Sequence, residues 1–141
     1  MIEAAIIDAS VAAKWVVEEP GSDRARQLAG ARLEAPDLLL AECANILWKK
    51  TRLGDLSRRD ASECLALLLR SPVTLADSRG LVGLALQLSF ELNRPVYDCV
   101  YLALAVRRSV PLVTADERLV SAARRQRKLA ISVMLLKDLP D

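Results

Sequence analysis

The 141-residue chain contains no histidine. That absence removes Ser-His-Asp and Cys-His nucleophilic sites, histidine-based ribonuclease chemistry and His-containing zinc sites. Cysteine is nearly as scarce. Cys43, Cys64 and Cys99 are odd in number, widely spaced and form no CxxC. This argues against a disulfide framework or thiolate zinc site and fits buried, reduced thiols in a cytoplasmic protein. The five glycines, Gly21, Gly30, Gly54, Gly80 and Gly83, assemble neither GxGxxG nor a P-loop. No basic leader precedes the first apolar run, and the longest uncharged apolar run, residues 99–106, is far short of a membrane span. Linkers, repeats and low-complexity tracts are also missing, so residues 1–141 are expected to form a single domain. Catalysis in such a chain must run on carboxylates, lysine, arginine, hydroxyls, thiols or a metal held by oxygen.

Net charge is only +2. The distribution is less even. From Arg107 to Lys128, seven basic residues stand against Asp116 and Glu117, a net +5 that leaves the remainder of the chain acidic. A solvated helix face and a polyanion site both fit that segment.

Hydrophobic residues make up 52% of the sequence, and their patterning predicts alternating strands and helices. Residues 4–7 are a short apolar run, read as a buried strand. Ser10 is placed as the cap of a helix to residue 17, stopped by Pro20-Gly21. A short helix over 22–31 and an extended stretch over 33–36 follow. Residues 38–52 are the clearest helix, ended by Gly54. Ser57 with Asp60 opens the next, to residue 70. Strand 73–75, helix 78–92 with Asn93 as a left-handed cap, helix 96–108, strand 111–114, helix 116–127 and strand 131–136 complete the chain. The order implies an α/β fold: a parallel sheet of four to five strands flanked by helices on both faces. Ligands of such sheets bind beyond the carboxyl ends of the strands.

Four acids stand out against that frame. Asp8 directly follows the first strand, and Asp116 lies two residues beyond strand 111–114. Glu42 sits in an apolar stretch of helix, where an unpaired carboxylate costs several kcal/mol. Asp98 is the single charge between residues 95 and 106 and lies in a first helical turn, where the helix dipole favours an anion. Asp8, Asp98 and Asp116 each have an ordinary reading as caps or first-turn charges. Glu42 has none. Together, the four are best accommodated by a hard cation bound through oxygen, Mg²⁺ or Mn²⁺. Ser10 and Thr114, each two residues from an acid, are placed to hold a carboxylate. Asn45 lies one turn after Glu42 and is placed to orient it. Lys14 and Arg118 stand near Asp8 and Asp116 as phosphate contacts or as plain surface charge.

The segments Asp8-Ala9-Ser10, Glu42 with Asn45-Ile46-Leu47-Trp48-Lys49, Val96-Tyr97-Asp98-Cys99-Val100-Tyr101-Leu102-Ala103-Leu104-Ala105 and Pro111-Leu112-Val113-Thr114-Ala115-Asp116 resemble the PIN-domain pattern. The last two are close to VapC-type toxins of toxin–antitoxin pairs. The resemblance implies a PIN-like fold and a Mg²⁺- or Mn²⁺-dependent endoribonuclease. Asp8 and Asp98 would be the principal metal contacts, with Glu42 and Asp116 completing the pocket and Asp116 joining the metal ligands. It also implies a homodimer held inactive by a cognate antitoxin, with RNA as substrate. Trp15, Trp48, Lys49, Lys50 and Arg52 fit a partner surface, in which Leu47, Trp48 and the helix after Ser57 would form the groove. Trp48 fits a core position equally well.

Two rivals are a non-catalytic PIN-like scaffold, against which the four acids stand, and a receiver-like signalling domain. A receiver would need an acidic pair at the first strand, where Asp8 is instead followed by Ala9 and Ser10. Without histidine, attack by the ribose 2′-hydroxyl driven by an imidazole pair is excluded. Cleavage by an activated water is expected to leave 5′-phosphate and 3′-hydroxyl ends. End-group mapping of the products checks this, and a 2′,3′-cyclic phosphate would contradict it.

Overall fold

The computed structural model describes residues 2–140. Met1 and Asp141, the ends of the expected domain, lie outside the described residues. Strands β1 (Ala4–Ile7), β2 (Arg32–Pro36), β3 (Thr74–Ala76), β4 (Leu112–Thr114) and β5 (Val133–Leu135) form one sheet in the order β3-β2-β1-β4-β5. All four pairings are parallel. Ile6 is the pivot of the register, opposite Glu34 of β2 on one side and Leu112 of β4 on the other.

That order reverses at β1. The chain first moves outward through β2 to β3, then crosses back to β4 and β5. Right-handed crossovers put the helices of the outward and returning halves on opposite faces. The first set is α1 (Ala9–Ala12), α2 (Ser22–Arg26), α3 (Leu39–Arg52) and α4 (Arg58–Leu69). The second is α5 (Val82–Leu92), α6 (Val96–Arg108) and α7 (Glu117–Arg124). The reversal leaves a crevice above the carboxyl ends of β1 and β4, where such sheets bind ligands.

The central strands β1 and β4 hold because they are buried on both faces: Ala5, Ile6, Ile7, Leu112, Val113 and Thr114 are all buried. Helix α6 is buried over seven consecutive residues, Cys99 to Ala105, as it packs between α5 and strands β1, β2 and β4. A helix apolar around its whole girth can only be an interior one. Asp98 therefore enters the crevice from a rigid element.

The expected elements are present, with local corrections. The first helix is capped by Asp8, whose side chain accepts from the Val11 amide at 3.3 Å, and not by Ser10. It runs as α1 and a 3₁₀ turn to Trp15 instead of reaching residue 17. The second helix ends at Arg26 and tightens into a 3₁₀ turn to Gly30. Strand β4 starts one residue late because Pro111 has no N–H to donate, although its carbonyl accepts from Ile6 at 2.9 Å. The last strand is shorter than residues 131–136, because a 3₁₀ turn occupies Arg127–Ser132. Asn93 takes the left-handed cap, with φ 52° and ψ 45°. Among the described residues no helix is long and apolar enough to cross a membrane.

Ile7 is fully buried directly below Asp8. Truncating it to Ala removes three carbons from a packed sheet and is expected to destabilise the fold by about 2–5 kcal/mol. Urea unfolding checks this.

Candidate active site

The crevice holds a cavity of about 530 Å³ whose walls include Asp8, Ser10, Glu42, Asn45, Lys49, Tyr97, Asp98, Tyr101 and Asp116. All four acids of the sequence analysis face it. They come from four elements: the end of β1, the first turns of α3 and α6, and the cap of α7.

Hydroxyl groups fasten Asp8. Oδ1 accepts from Ser10 Oγ at 2.5 Å, and Oδ2 accepts from the Thr114 hydroxyl. The same hydroxyls accept backbone amides of the neighbouring strand end. Ala115 N donates to Ser10 Oγ at 3.1 Å, and Asp116 N donates to Thr114 Oγ1 at 3.0 Å. Ser10 and Thr114 thus stitch the ends of β1 and β4 together; Ser10 holds the acid two residues before it, whereas Thr114 holds Asp8 instead of the Asp116 carboxylate. Burial pushes the Asp8 carboxyl from 3.8 up to about 6 against the pull of these hydrogen bonds, and the charge of Asp98 adds to the rise.

Glu42 is half-buried, and burial raises its pKa, with the Asp98 charge adding to the rise. Its relief is the phenol of Tyr101, which donates to Oε1 at 2.5 Å. The expectation that Asn45 orients Glu42 is corrected here. Asn45 lines the cavity but makes no hydrogen bond to Glu42 among the described residues, whereas buried Tyr101 does. Tyr101 stands one turn beyond Asp98 on α6, so its spacing was the available signal.

Asp98 and Asp116 share one cation already. Arg94 Nη2 lies 3.1 Å from Asp98 Oδ2 and 3.2 Å from Asp116 Oδ2. Asp116 also caps α7, its Oδ1 accepting from the amides of Arg118 and Leu119 at 3.0 and 3.1 Å. Burial raises the Asp98 pKa. Arg94 opposes the shift, and the charge of Asp116 reinforces it. Arg94 was missed from sequence because it precedes Pro95 in a loop, outside any helical period. The thiols take no part: burial first, then the charges of Glu42 and Asp8, push Cys43 up to about 12.

The other proposed contacts sort differently. Lys14 does not line the cavity. Its Nζ bonds Glu19 Oε1 at 3.1 Å and the Pro20 carbonyl at 3.0 Å. Arg118 lines a neighbouring cleft with Arg94. The basic run from Arg107 to Lys128 is divided. Arg108 pairs with Glu34 at 2.8 Å, at the end of α6 away from Asp98. Ten residues of helix separate the two ends by about 15 Å. Trp15 is structural, its indole donating to the Ala25 carbonyl at 2.9 Å. Trp48 is not core: it is 55% exposed and lines a groove of about 630 Å³ between α3 and α4, with Arg52 stacked 5.0 Å from its ring.

A profile of the PIN domain matches residues 5–125 of the chain. The chain belongs to the PIN-domain family. It is 33% identical to Ribonuclease VapC3 of Pyrobaculum aerophilum over 118 residues, covering 81% of this chain and 90% of that protein. Among solved structures, PAE2754 from Pyrobaculum aerophilum superposes with a TM-score of 0.71 at 24% identity, over 96% of this chain and 85% of that one. VapC20 of Mycobacterium tuberculosis, described as a sarcin-ricin loop cleaving toxin, superposes with a TM-score of 0.60 at 18% identity, over 84% and 94%. The domain is of the VapC type, and its five-stranded parallel sheet is the PIN fold.

The donor set of this PIN domain is oxygen throughout. Among the described residues no three acidic or thiol side chains close into a ready-made metal cage. A hydrated Mg²⁺ needs only one or two carboxylates. Asp98 and Asp116 meet that requirement, since they already converge on a single cationic nitrogen.

The raised carboxyl of Asp8 gives a pH prediction. A carboxylic acid whose pKa is higher folded than unfolded stabilises the fold while protonated. Without metal, that contribution is complete below about pH 4 and is lost as pH rises through about 6. In chelator, Asp8→Asn should therefore gain melting temperature relative to wild type as pH rises from 4 to 8. Thermal melts across that range check it.

Proposed function

We propose that the chain is a Mg²⁺- or Mn²⁺-dependent endoribonuclease and the toxin of a toxin–antitoxin pair. The observation that carries the proposal is the convergence of four carboxylates on one crevice, two of them already sharing a cation. The name of the relative VapC3, a ribonuclease, supports the same chemistry.

Asp8, Asp98 and Asp116 would hold the metal. When bound, a divalent cation supplies an acidified water and neutralises charge gathering on the phosphate. Asp8 is the most constrained of the ligands, because two hydroxyls and an amide fix its rotamer. Glu42, made more basic by burial and aimed by Tyr101, is suited to accept a proton from the attacking water. Asp116 would share in orienting that water. Lys49 at the rim offers a cation to the incoming phosphodiester.

The groove beside Trp48 would seat the antitoxin: an exposed indole over an apolar floor of Leu47 and Leu65 suits an amphipathic segment. The same reading makes the protein a cytoplasmic homodimer.

Incubation with RNA in Mg²⁺, in Mn²⁺ and in chelator tests the activity. Cleavage is expected with either metal and none in chelator. Asp98→Asn should reduce the rate by about 100-fold or more, since loss of even an outer partner of a metal site costs about 10–100-fold. Circular dichroism should show an intact fold. An unchanged rate in Asp98→Asn would remove that residue from the site, and full activity in chelator would remove the metal.

A further inference from the structure

Beside the acid cavity lies a second depression, of about 480 Å³, whose walls include Arg94, Arg118 and Arg125. Arg94 is common ground: it lines this cleft while its Nη2 touches Asp98 and Asp116. Arg94 is paired with those two acids, but the other two arginines of the cleft are uncompensated. The cleft's one acid, Glu117, is held by Lys137 at 2.7 Å. Arg118 and Arg125 have no ion-pair partner among the described residues. They stand seven positions apart, two helical turns, so they project from one side of α7 and its last turn about 10 Å apart along the axis. A further signal sits at the boundary. The Nε of Arg94 is buried without a hydrogen-bond partner, and an unmet buried donor is costly unless an acceptor arrives.

An acidic crevice by itself repels a phosphodiester chain. A polyanion entering it needs compensating cations close by, on the same edge of the protein and on fixed elements. We propose that the cleft of Arg94, Arg118 and Arg125 is a backbone-binding subsite for RNA. It holds a phosphate flanking the cut site while the scissile phosphate lies at the carboxylates. This proposal rests on the ribonuclease reading above. It gives the basic segment a working part that is smaller than the run of charge in the sequence: Arg118 and Arg125 serve it, while Arg108 is spent on Glu34 and Lys128 on Glu91.

The test compares wild type with Arg118→Ala/Arg125→Ala. The probe is a fluorescein-labelled, mixed-sequence single-stranded RNA 20-mer, read by anisotropy in EDTA at 50–200 mM salt. The double variant should bind about tenfold more weakly at low salt. The slope of log affinity against log salt should fall by about 1.4, the loss of two phosphate contacts on a single strand. Melting temperature and Mn²⁺ affinity by calorimetry should not change. Equal affinity and equal slope in the two proteins would overturn the proposal. So would a double variant that keeps its RNA affinity but escapes inhibition by a protein partner, because the cleft would then be a protein contact. Degradation of total cellular RNA by the same wild-type preparation in Mg²⁺ separates the two levels of failure. If wild type degrades RNA and the variant binds equally well, only the cleft is lost. If wild type degrades none, the ribonuclease reading falls and the cleft with it.

Discussion

Negative charge at the carboxyl edge of the sheet sets the terms for the surrounding structure. Parallel pairing of β1 with β4 puts Asp8 and Asp116 on the same edge. The first turns of α3 and α6 add Glu42 and Asp98. Like charges in a partly buried crevice raise one another's pKa and oppose folding. Each acid is accordingly given a specific partner. Asp8 has two hydroxyls, Glu42 a phenol, and Asp98 and Asp116 a shared guanidinium. These partners offset the penalty only in part: burial first, and the neighbouring acids after it, still hold the carboxyls of Asp8, Glu42 and Asp98 above their ordinary range. A divalent cation, as proposed above, would offset the charge that these partners leave.

The scaffold makes that preference possible. Ser10 and Thr114 do more than hold Asp8, because each also accepts an amide from the segment after β4. Displacing either hydroxyl would move both the Asp8 carboxylate and the strand end. Asp98 is similarly fixed, projecting from a helix buried over two turns. Asp116 is the cap of α7, so its Oδ1 is committed to backbone amides while Oδ2 faces the crevice, paired with Arg94. Rigid elements with second partners are what a metal site needs for defined geometry.

Much of this was legible in the sequence, for physical reasons. Strands apolar on both faces give short unbroken runs, so β1 and β4 announced themselves, and the acids after them followed. Glu42 was conspicuous because its apolar neighbours left no cheap place for a charge. Asn93 and Ser57 carry local chemistry that decides their conformation without tertiary help. What sequence concealed depends on contacts between distant elements. Arg94 sits in a loop and acquires meaning only where α6 and α7 meet. Tyr101 reads as core until Glu42 arrives from 59 residues away. Lys14 reads as a contact for Asp8 until Glu19 and Pro20 fold back on it. The basic stretch reads as one patch, although the length of α6 carries Arg108 to the far end of the sheet.

The proposed function stands or falls on whether these carboxylates, two of them now paired with Arg94, bind a divalent cation. Mn²⁺ soaked into crystals of the protein tests this most directly, by anomalous diffraction at the manganese edge. The account predicts a peak in the crevice about 2.0–2.2 Å from carboxylate oxygens of Asp98 and at least one of Asp8 and Asp116, with the Arg94 guanidinium withdrawn. A crevice without manganese at millimolar concentration, with Arg94 still bridging Asp98 and Asp116, would contradict it.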